Sequence, residues 1–507
     1  MWEQFLSGVE AVNKAVNDVV WGWPVVILIL GTGILLTFRT KFLQVRHFGE
    51  SLNATIIPAL KSLGSRGKNK DTRLKSVSQF EAFSTAISGT VGTGNIIGVV
   101  SAILTGGPGA VFWMWISAFF GMVTNYSENV LGLYFRKRDK NGNLSGGSFY
   151  YIANGLHWKW LAYCAAIFCT FAAIGMSGVQ TNKISGTLAH ASATYFNLND
   201  EWTVKLVIGI AVAAIAAVII IGGIQRIGKV TSMLVPFMSL LFIIMALIAI
   251  GTHFAQIPNA FGMIFSKAFN FQAAGGGILG YTFAQVITKG MARGVFSNEA
   301  GLGSSVIAHS ASETREPVKQ GLWGVFEVFF DTFIICTLTA LTFLTTFDLN
   351  TLSGDMKDEL MSMSMFSTNF GDFGTIVFSI ILPLFAFTTI IAWSYYGEKA
   401  IEFCFNRAKE KTRKVITTAF KVVYVLLIAV SATIQGDLIW AIDDTFNGLM
   451  AVPNLICLVL LSGLVAKITK NYFDRKRGKK VEPMLSAYPE MNEEFKKDIM
   501  SENSEMK

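Results

Sequence analysis

Small and oxygen-bearing residues are concentrated in one short stretch of the chain. Residues 88–95 read Ser-Gly-Thr-Val-Gly-Thr-Gly-Asn and lie inside an apolar run. Glycine lowers helix stability, so this composition favours a helix whose backbone opens at the glycines. Freed amides suit a carboxylate, and freed carbonyls suit a hard cation. The candidates for the carboxylate are Thr90, Thr93, Gly94 and Asn95, and those for the cation are Ser88, Gly89 and Val91.

Close helix packing through small residues is the alternative interpretation of this stretch. Packing alone does not need Asn95 and three hydroxyl groups at the same turn, so the binding site is the better interpretation. A dinucleotide-binding loop is excluded, because no strand precedes the glycines and no βαβ unit is present.

A second stretch of the same character follows in the second half of the chain. The motif Gly301-Leu302-Gly303-Ser304 echoes the first stretch, and Phe296, Asn298 and Glu299 stand at the predicted break. An acidic residue in an apolar run is a functional candidate. Glu299 either accepts an ammonium group or is structural, capping the following half-helix or pairing with Arg293. The sequence leaves both alternatives open.

Other apolar runs contribute four further candidates, Thr389, Trp393, Glu327 and Asp331. Trp393 lies one turn after Thr389 on the same helical face, where its ring would cap a pocket and favour a small ligand. A tryptophan that faces lipid or another helix is the alternative. Glu327 and Asp331, four residues apart, would tune ion binding or carry a proton, or would be paired structurally.

Charged residues predict a gate. Lys289 and Arg293 are four residues apart and share a helical face, while Asp443 and Asp444 stand near the start of the last apolar run. We expect one of these cations to pair with one of these carboxylates when a ligand is enclosed.

The elements that position these residues must be membrane helices. The 507 residues are 52% hydrophobic and 15% charged, with a mean hydropathy of +0.48, outside the soluble globular range. The net charge of +8 lies in short connections rather than on a basic face, which excludes nucleic acid. The five cysteines and five histidines show no metal spacing, so we expect no cofactor and no metal beyond a coupling cation.

Eleven apolar segments are long enough to span a bilayer. Lys and Arg in alternate connections number 29 against 4 in the others, which predicts an outside N-terminus and a cytoplasmic C-terminus. The first segment ends without a signal-peptide cleavage site. The segments are 18–38, 78–105, 109–135, 158–188, 203–222, 231–252, 275–312, 318–346, 372–404, 415–434 and 438–466.

The odd number of segments predicts one extra N-terminal helix followed by ten. The two glycine-rich stretches then fall in the first and sixth helices of the ten, which run in opposite directions. This arrangement is typical of two five-helix repeats related by inverted topology, with broken helices at the ligand site.

The segment Gly106 to Gly121, GGPGAVFWMWISAFFG, resembles the characteristic motif of the alanine or glycine:cation symporter family, also called sodium:alanine symporters. The residues SGTVGTGN and RGVFSNEAGLGS are similar to the same family. The resemblance implies an all-α membrane protein with the leucine-transporter fold of five plus five inverted helices. It also implies that Thr388 and Thr389 join the carbonyls of the first broken helix in a sodium site. Back-bonding of both hydroxyls to their own helix is the alternative.

We therefore expect a sodium-coupled symporter of small neutral amino acids, alanine and glycine, in the plasma (inner) membrane. Proton coupling is the alternative, and a channel or a membrane sensor is less favoured. An enzyme is not expected, because no nucleophile, base and oxyanion set is recognisable. The expected regions are an extracytoplasmic segment 1–17, a transporter domain 18–466 with a basic cytoplasmic loop 39–76, and a charged, largely solvated cytoplasmic tail 467–507.

Overall fold

Helices make up nearly all of the described chain. The computed structural model describes residues 2–55, 76–138, 142–269, 283–349, 358–434 and 436–505. In these ranges eight helices are long and apolar enough to cross a membrane. They confirm an all-α membrane protein, while the count of eleven spans and the inverted repeat stay predictions.

The first half of the chain ends before the gap at 270–282. A two-stranded antiparallel ribbon, β1 (Lys137–Arg138) and β2 (Leu144–Ser145), interrupts the helices. The helices are α1 (Trp2–Val20), α2 (Trp23–Arg39), α3 (Gln79–Thr90), α4 (Ile97–Gly106), α5 (Gly109–Tyr134), α6 (Ser148–Gly155), α7 (Lys159–Phe196), α8 (Glu201–Ile221), α9 (Gly223–Thr252) and α10 (Ile257–Ala268). Single turns lie at Leu43–Arg46, Thr93–Asn95 and Phe254–Gln256.

The second half continues from the gap to the C-terminal tail. One turn of helix, Val306–His309, stands alone. The helices are α11 (Phe283–Asn298), α12 (Pro317–Thr346, π-helical over Phe329–Cys336), α13 (Asp358–Phe370), α14 (Asp372–Cys404), α15 (Glu410–Ser431), α16 (Gly436–Lys476) and α17 (Pro489–Glu505).

Most predicted segments coincide with helices, and α14 has the predicted bounds 372–404. Ahead of the predicted first span, 18–38, residues 2–20 already form the helix α1, which packs on α16. There Asn17 Nδ2 donates to Thr445 Oγ1 at 3.1 Å. Part of the predicted segment 275–312 and most of the basic loop 39–76 lie outside the described residues.

The C-terminal tail differs from the prediction of a largely solvated segment. Helix α16 continues to Lys476, and α17 folds back against the end of α5. Phe495 is fully buried, Arg138 pairs with Glu494 at 2.7 Å, and Arg315 pairs with Asp498 at 2.7 Å. Helix α17 is docked because several of its charged side chains have partners and its one aromatic ring, Phe495, is buried, which composition alone does not reveal.

Two packing groups surround the glycine-rich stretches. Helix α7 packs against α14 and α16, and α5 packs against α11 and α12. The two stretches lie between these groups and are fully buried over residues 88–95 and 294–305.

Candidate functional site

The first predicted break is present. Helix α3 starts with a capping box between Ser78 and Glu81 and ends at Thr90, and helix resumes at Ile97. Between them the Gly92 amide donates to the Thr90 carbonyl at 3.0 Å and to Asn95 Oδ1 at 2.9 Å. Asn95 thus stabilises the opened backbone with its own side chain.

The opening frees two carbonyls that a continuous helix would use. The Ser88 carbonyl loses its donor, the Gly92 amide, and accepts from Thr389 Oγ1 at 2.9 Å. The Gly89 carbonyl loses the Thr93 amide, which donates to Gln180 Oε1 at 3.3 Å instead. Both carbonyls therefore point to neighbouring elements.

Hydroxyl and carbonyl oxygens converge beside the Ser88 carbonyl. Thr389 Oγ1 also lies 3.1 Å from the Phe385 carbonyl, and Thr388 Oγ1 lies 2.9 Å from the same carbonyl. Thr388 Oγ1 is 3.5 Å from Met238 Sδ on its other side. The fully buried Val91 donates its amide to the Ile87 carbonyl at 2.7 Å. Two kinds of oxygen suited to sodium, hydroxyl and backbone carbonyl, thus meet around Thr389.

The turn after the break carries a buried hydroxyl that is available to a ligand. Thr93 Oγ1 has no hydrogen-bond partner among the described residues, although the side chain is fully buried. Thr90 Oγ1, in contrast, back-bonds to the Ile87 carbonyl at 3.1 Å. A Cβ atom at Gly94 would lie 3.3 Å from the Phe296 ring, so the second broken element closes over this turn.

The second predicted break is also present, and its backbone is strained. Helix α11 ends at Asn298, whose Oδ1 accepts the Ala300 amide at 3.0 Å. Glu299, Gly301 and Gly303 then have φ angles of +54°, +97° and +74°. Glycine tolerates such angles, whereas Glu299 adopts its angle against steric cost.

Glu128, which the sequence interpretation missed, holds this strained segment. Its Oε1 accepts the amides of Gly301 at 3.1 Å and Gly303 at 3.0 Å, and the Asn454 side chain at 2.5 Å. Asn454 also donates to the Gly301 carbonyl at 2.9 Å. A buried acidic residue in an apolar helix was the available signal, but its partner is 173 residues away.

Glu299 and Trp393 connect the two breaks through hydrogen bonds. Trp393 Nε1 donates to Glu299 Oε1 at 3.0 Å and approaches the Gly89 carbonyl at 3.4 Å. Glu299 Oε2 accepts from Ser304 Oγ at 2.5 Å. Both carboxylate oxygens of Glu299 have partners inside the protein, which favours the structural alternative for this residue.

The Asp331 side chain forms hydrogen bonds with both broken helices. It lies in the π-helical segment of α12, a distortion frequent at functional sites. Its carboxylate accepts from Asn95 Nδ2 at 2.5 Å, Ser297 Oγ at 2.9 Å and Thr332 Oγ1 at 2.9 Å. Asn298 Nδ2 donates to Thr332 Oγ1 at 3.1 Å. The sequence alone left open whether Asp331 tunes ion binding, carries a proton or is paired structurally, and the structure places it where the two glycine-rich stretches meet.

One ion pair of the predicted gate is formed. Arg293 Nη1 lies 3.1 Å from Asp444 Oδ1. The guanidinium also stands over the rings of Phe296, at 5.5 Å, and Trp440, at 5.2 Å, and these two rings stack at 5.8 Å. A cavity of about 490 Å³ lies beside this cluster, lined among others by Arg293, Trp440 and Asp444. Arg293, Trp440 and Asp444 thus line the cavity, which also reaches Ile97, where helix resumes after the first break.

The other two gate candidates are not in this pair. Lys289 is exposed and has no ion pair among the described residues. Asp443 is fully buried and faces Gly175 of α7 rather than the cavity.

Solved structures share this architecture. MhsT in complex with L-phenylalanine matches with a TM-score of 0.56 at 14% identity, over 78% of this chain and 99% of that one. A Na⁺-coupled sialic acid symporter in a substrate-bound outward-open state matches with a TM-score of 0.51 at 13% identity, over 94% and 96%. At these identities the likeness concerns the fold. The chain is thus a multi-pass membrane protein with the leucine-transporter fold and two broken helices.

The family follows from sequence. The model of the sodium:alanine symporter family matches residues 6–486, so the chain belongs to that family. The sodium/alanine symporter AgcS of Methanococcus maripaludis is 40% identical over 472 residues, which are 92% of this chain and 97% of AgcS. The chain is thus an amino-acid:cation symporter and not an enzyme, because its family and structural neighbours are transporters.

Proposed function

We propose that the chain couples sodium to the uptake of small neutral amino acids, alanine and glycine, by alternating access. The observation that carries the proposal is the position of Thr389 Oγ1, 2.9 Å from the Ser88 carbonyl and 3.1 Å from the Phe385 carbonyl. Sodium binding there would join α14 to the opened end of α3. A coupled ion must favour one state of the transporter, and a bridge between two helix groups provides that preference.

The amino acid would bind at the turn Thr93–Asn95. Its carboxylate would meet the amides at the start of the following half-helix, where the helix dipole favours negative charge. The unpartnered hydroxyl of Thr93 supports this position. Since both oxygens of Glu299 already have partners, the ammonium group is assigned to backbone carbonyls of the second break. Phe296 above the turn and Trp393 beside it favour a small side chain.

Asp331 would change its contacts when a ligand binds between the two broken helices. Hydroxyl groups can rotate, so Ser297 and Thr332 can present their oxygens to a cation that also contacts the carboxylate. Such a cation would lie next to Asn95, within the same polar cluster as the substrate turn.

The proposed orientation puts the Arg293–Asp444 pair outside and the docked tail in the cytoplasm, in the plasma membrane. The alternation of Lys and Arg supports it. Asp444 and the tail lie at opposite ends of α16, as this orientation requires. The pair then acts as the outer gate.

Substitution of Thr389 tests the sodium assignment. In proteoliposomes, Thr389→Ser keeps the hydroxyl and should retain sodium-driven alanine uptake. Thr389→Val keeps the shape but loses the oxygen, and should raise the half-saturating sodium concentration at least about tenfold, equivalent to ~1.4 kcal/mol. Equal sodium dependence of uptake in the two variants would contradict the assignment of sodium to Thr389.

Proton coupling is a second candidate with one observation in its favour. His309 Nε2 lies 2.6 Å from Glu327 Oε2, and His309 Nδ1 lies 2.7 Å from Gln320 Nε2, all fully buried. The buried pair of titratable groups, His309 and Glu327, suits a proton carrier. Uptake driven by a proton gradient and abolished by Glu327→Gln, without effect of sodium, would favour this candidate.

A further inference from the structure

A buried pair of polar side chains lies on α16, apart from both breaks. Asp443 and Asn447 are four residues apart on one face of the helix, and both are fully buried. Both carboxylate oxygens of Asp443 and Oδ1 of Asn447 have no hydrogen-bond partner in the described part of the chain. Buried polar atoms nearly always have partners, so three unpaired acceptors on neighbouring turns indicate a missing cationic ligand.

The side chains around these oxygens are held in place. Asn447 Nδ2 donates to the Asp443 backbone carbonyl at 3.0 Å, so the amide side chain is held by its donor end. Helix α7 passes so close that a Cβ atom at Gly175 would lie 2.8 Å from Asp443 Oδ1. Glycine at position 175 therefore lets α7 pass beside the carboxylate, where any side chain would collide with it.

The charged residues around Asp443 do not neutralise its carboxylate. Arg293 attracts it, but Arg293 forms its ion pair with Asp444. Asp444 and Glu299 repel it. A buried carboxylate without a paired charge is costly, and a bound cation removes that cost.

We infer that Asp443 and Asn447 form a sodium site of their own, separate from Thr389 and from Asp331, at the contact between α7 and α16. Carboxylate and amide oxygens are hard ligands that suit sodium, and one ion would bridge the two side chains. A proton on Asp443 would satisfy fewer of the unpaired oxygens. The inference rests on the proposed sodium coupling and adds one more ion to it. Because Asp443 adjoins the gate residue Asp444, sodium here would also favour closure of the outer gate.

Thermal unfolding of the purified full-length protein tests the site without transport. In sodium-free potassium buffer, Asp443→Asn should be at least as stable as wild type, because it removes an uncompensated charge. Sodium should raise the melting temperature of wild type more than that of Asp443→Asn or Asn447→Ala. Asp437→Asn, an exposed carboxylate on the same helix, is the matched control and should respond to sodium as wild type does.

Flux ratios in proteoliposomes complete the test. The number of sodium ions moved per alanine should fall by one in Asp443→Asn and stay unchanged in Asp437→Asn. If Asp443→Asn keeps the wild-type ratio and the wild-type sodium response in unfolding, the site at Asp443 is refuted while sodium coupling stands. If the variant instead loses only a response to pH, the bound cation is a proton and the inference is overturned. If wild-type uptake is not driven by sodium at all, the proposed function itself fails. Should Asp443→Asn not fold, Asn447→Ala alone must weaken the sodium response, or the inference fails.

Discussion

Substitution of Gly92 is the most specific way to perturb the first break. Its φ and ψ angles are −130° and −151°, an extended conformation that alanine adopts without strain. A methyl carbon there would nevertheless lie 2.6 Å from Thr389 Oγ1, well inside van der Waals contact. The substitution Gly92→Ala therefore acts on Thr389 through space and leaves the backbone preference satisfied.

The size of the destabilisation follows from the hydrogen bonds that the Thr389 side chain would lose. Overpacking by one methyl group costs ~1–3 kcal/mol. If Thr389 rotates to avoid it, Oγ1 leaves the Ser88 and Phe385 carbonyls, and a buried hydroxyl without partners costs about 1–3 kcal/mol. We expect a loss of stability in this range. We also expect the half-saturating sodium concentration to rise at least about tenfold, since that needs only ~1.4 kcal/mol.

The assay combines unfolding of purified protein with sodium-dependent alanine uptake. Gly98→Ala is the matched control in the same broken helix, because a Cβ atom there meets nothing within 4 Å. It should be neutral or slightly stabilising. Adding Thr389→Ala to Gly92→Ala should restore stability but not sodium affinity. Wild-type sodium dependence in folded Gly92→Ala would refute the role of the Thr389 hydroxyl.

Three further predictions concern the gate, the second break and the tail. Charge reversal at Arg293 or Asp444 alone should lower alanine uptake about tenfold, the effect of ~1.4 kcal/mol; a double swap that recovers nothing would contradict the gate. Glu128→Ala should destabilise the purified protein by about 1–3 kcal/mol for each amide left unpaired, and Glu128→Gln by less. Equal losses in the two variants would contradict its acceptor role. Phe495→Ala should cost roughly 3–5 kcal/mol if α17 stays docked, whereas the exposed Met500→Ala should cost nothing measurable; equal unfolding temperatures would contradict docking.

The sequence predicts the breaks well because their cause is local. Glycine at 89, 92 and 94 weakens the helix wherever the segment lies, and Asn95 supplies a capping side chain three residues from Gly92. The second break has the same cause, with Gly301 and Gly303 at positive φ angles. Local composition was sufficient for both.

The partners of the breaks could not be predicted, because they come from distant parts of the chain. Asp331 is 236 residues from Asn95, and Glu128 is 173 residues from Gly301. A buried acidic residue signals that a partner exists, but hydropathy and spacing do not identify it. The docked tail escaped prediction for the same reason, since Phe495 looks like any apolar residue in a charged segment.

The most direct test of the central claim is uptake of radiolabelled alanine into proteoliposomes under an imposed sodium gradient, with a proton gradient as the comparison. Alanine should accumulate when sodium drives uptake, accumulation should saturate with sodium, and it should be lost in Thr389→Val. Uptake that is indifferent to sodium and driven by the proton gradient would contradict it.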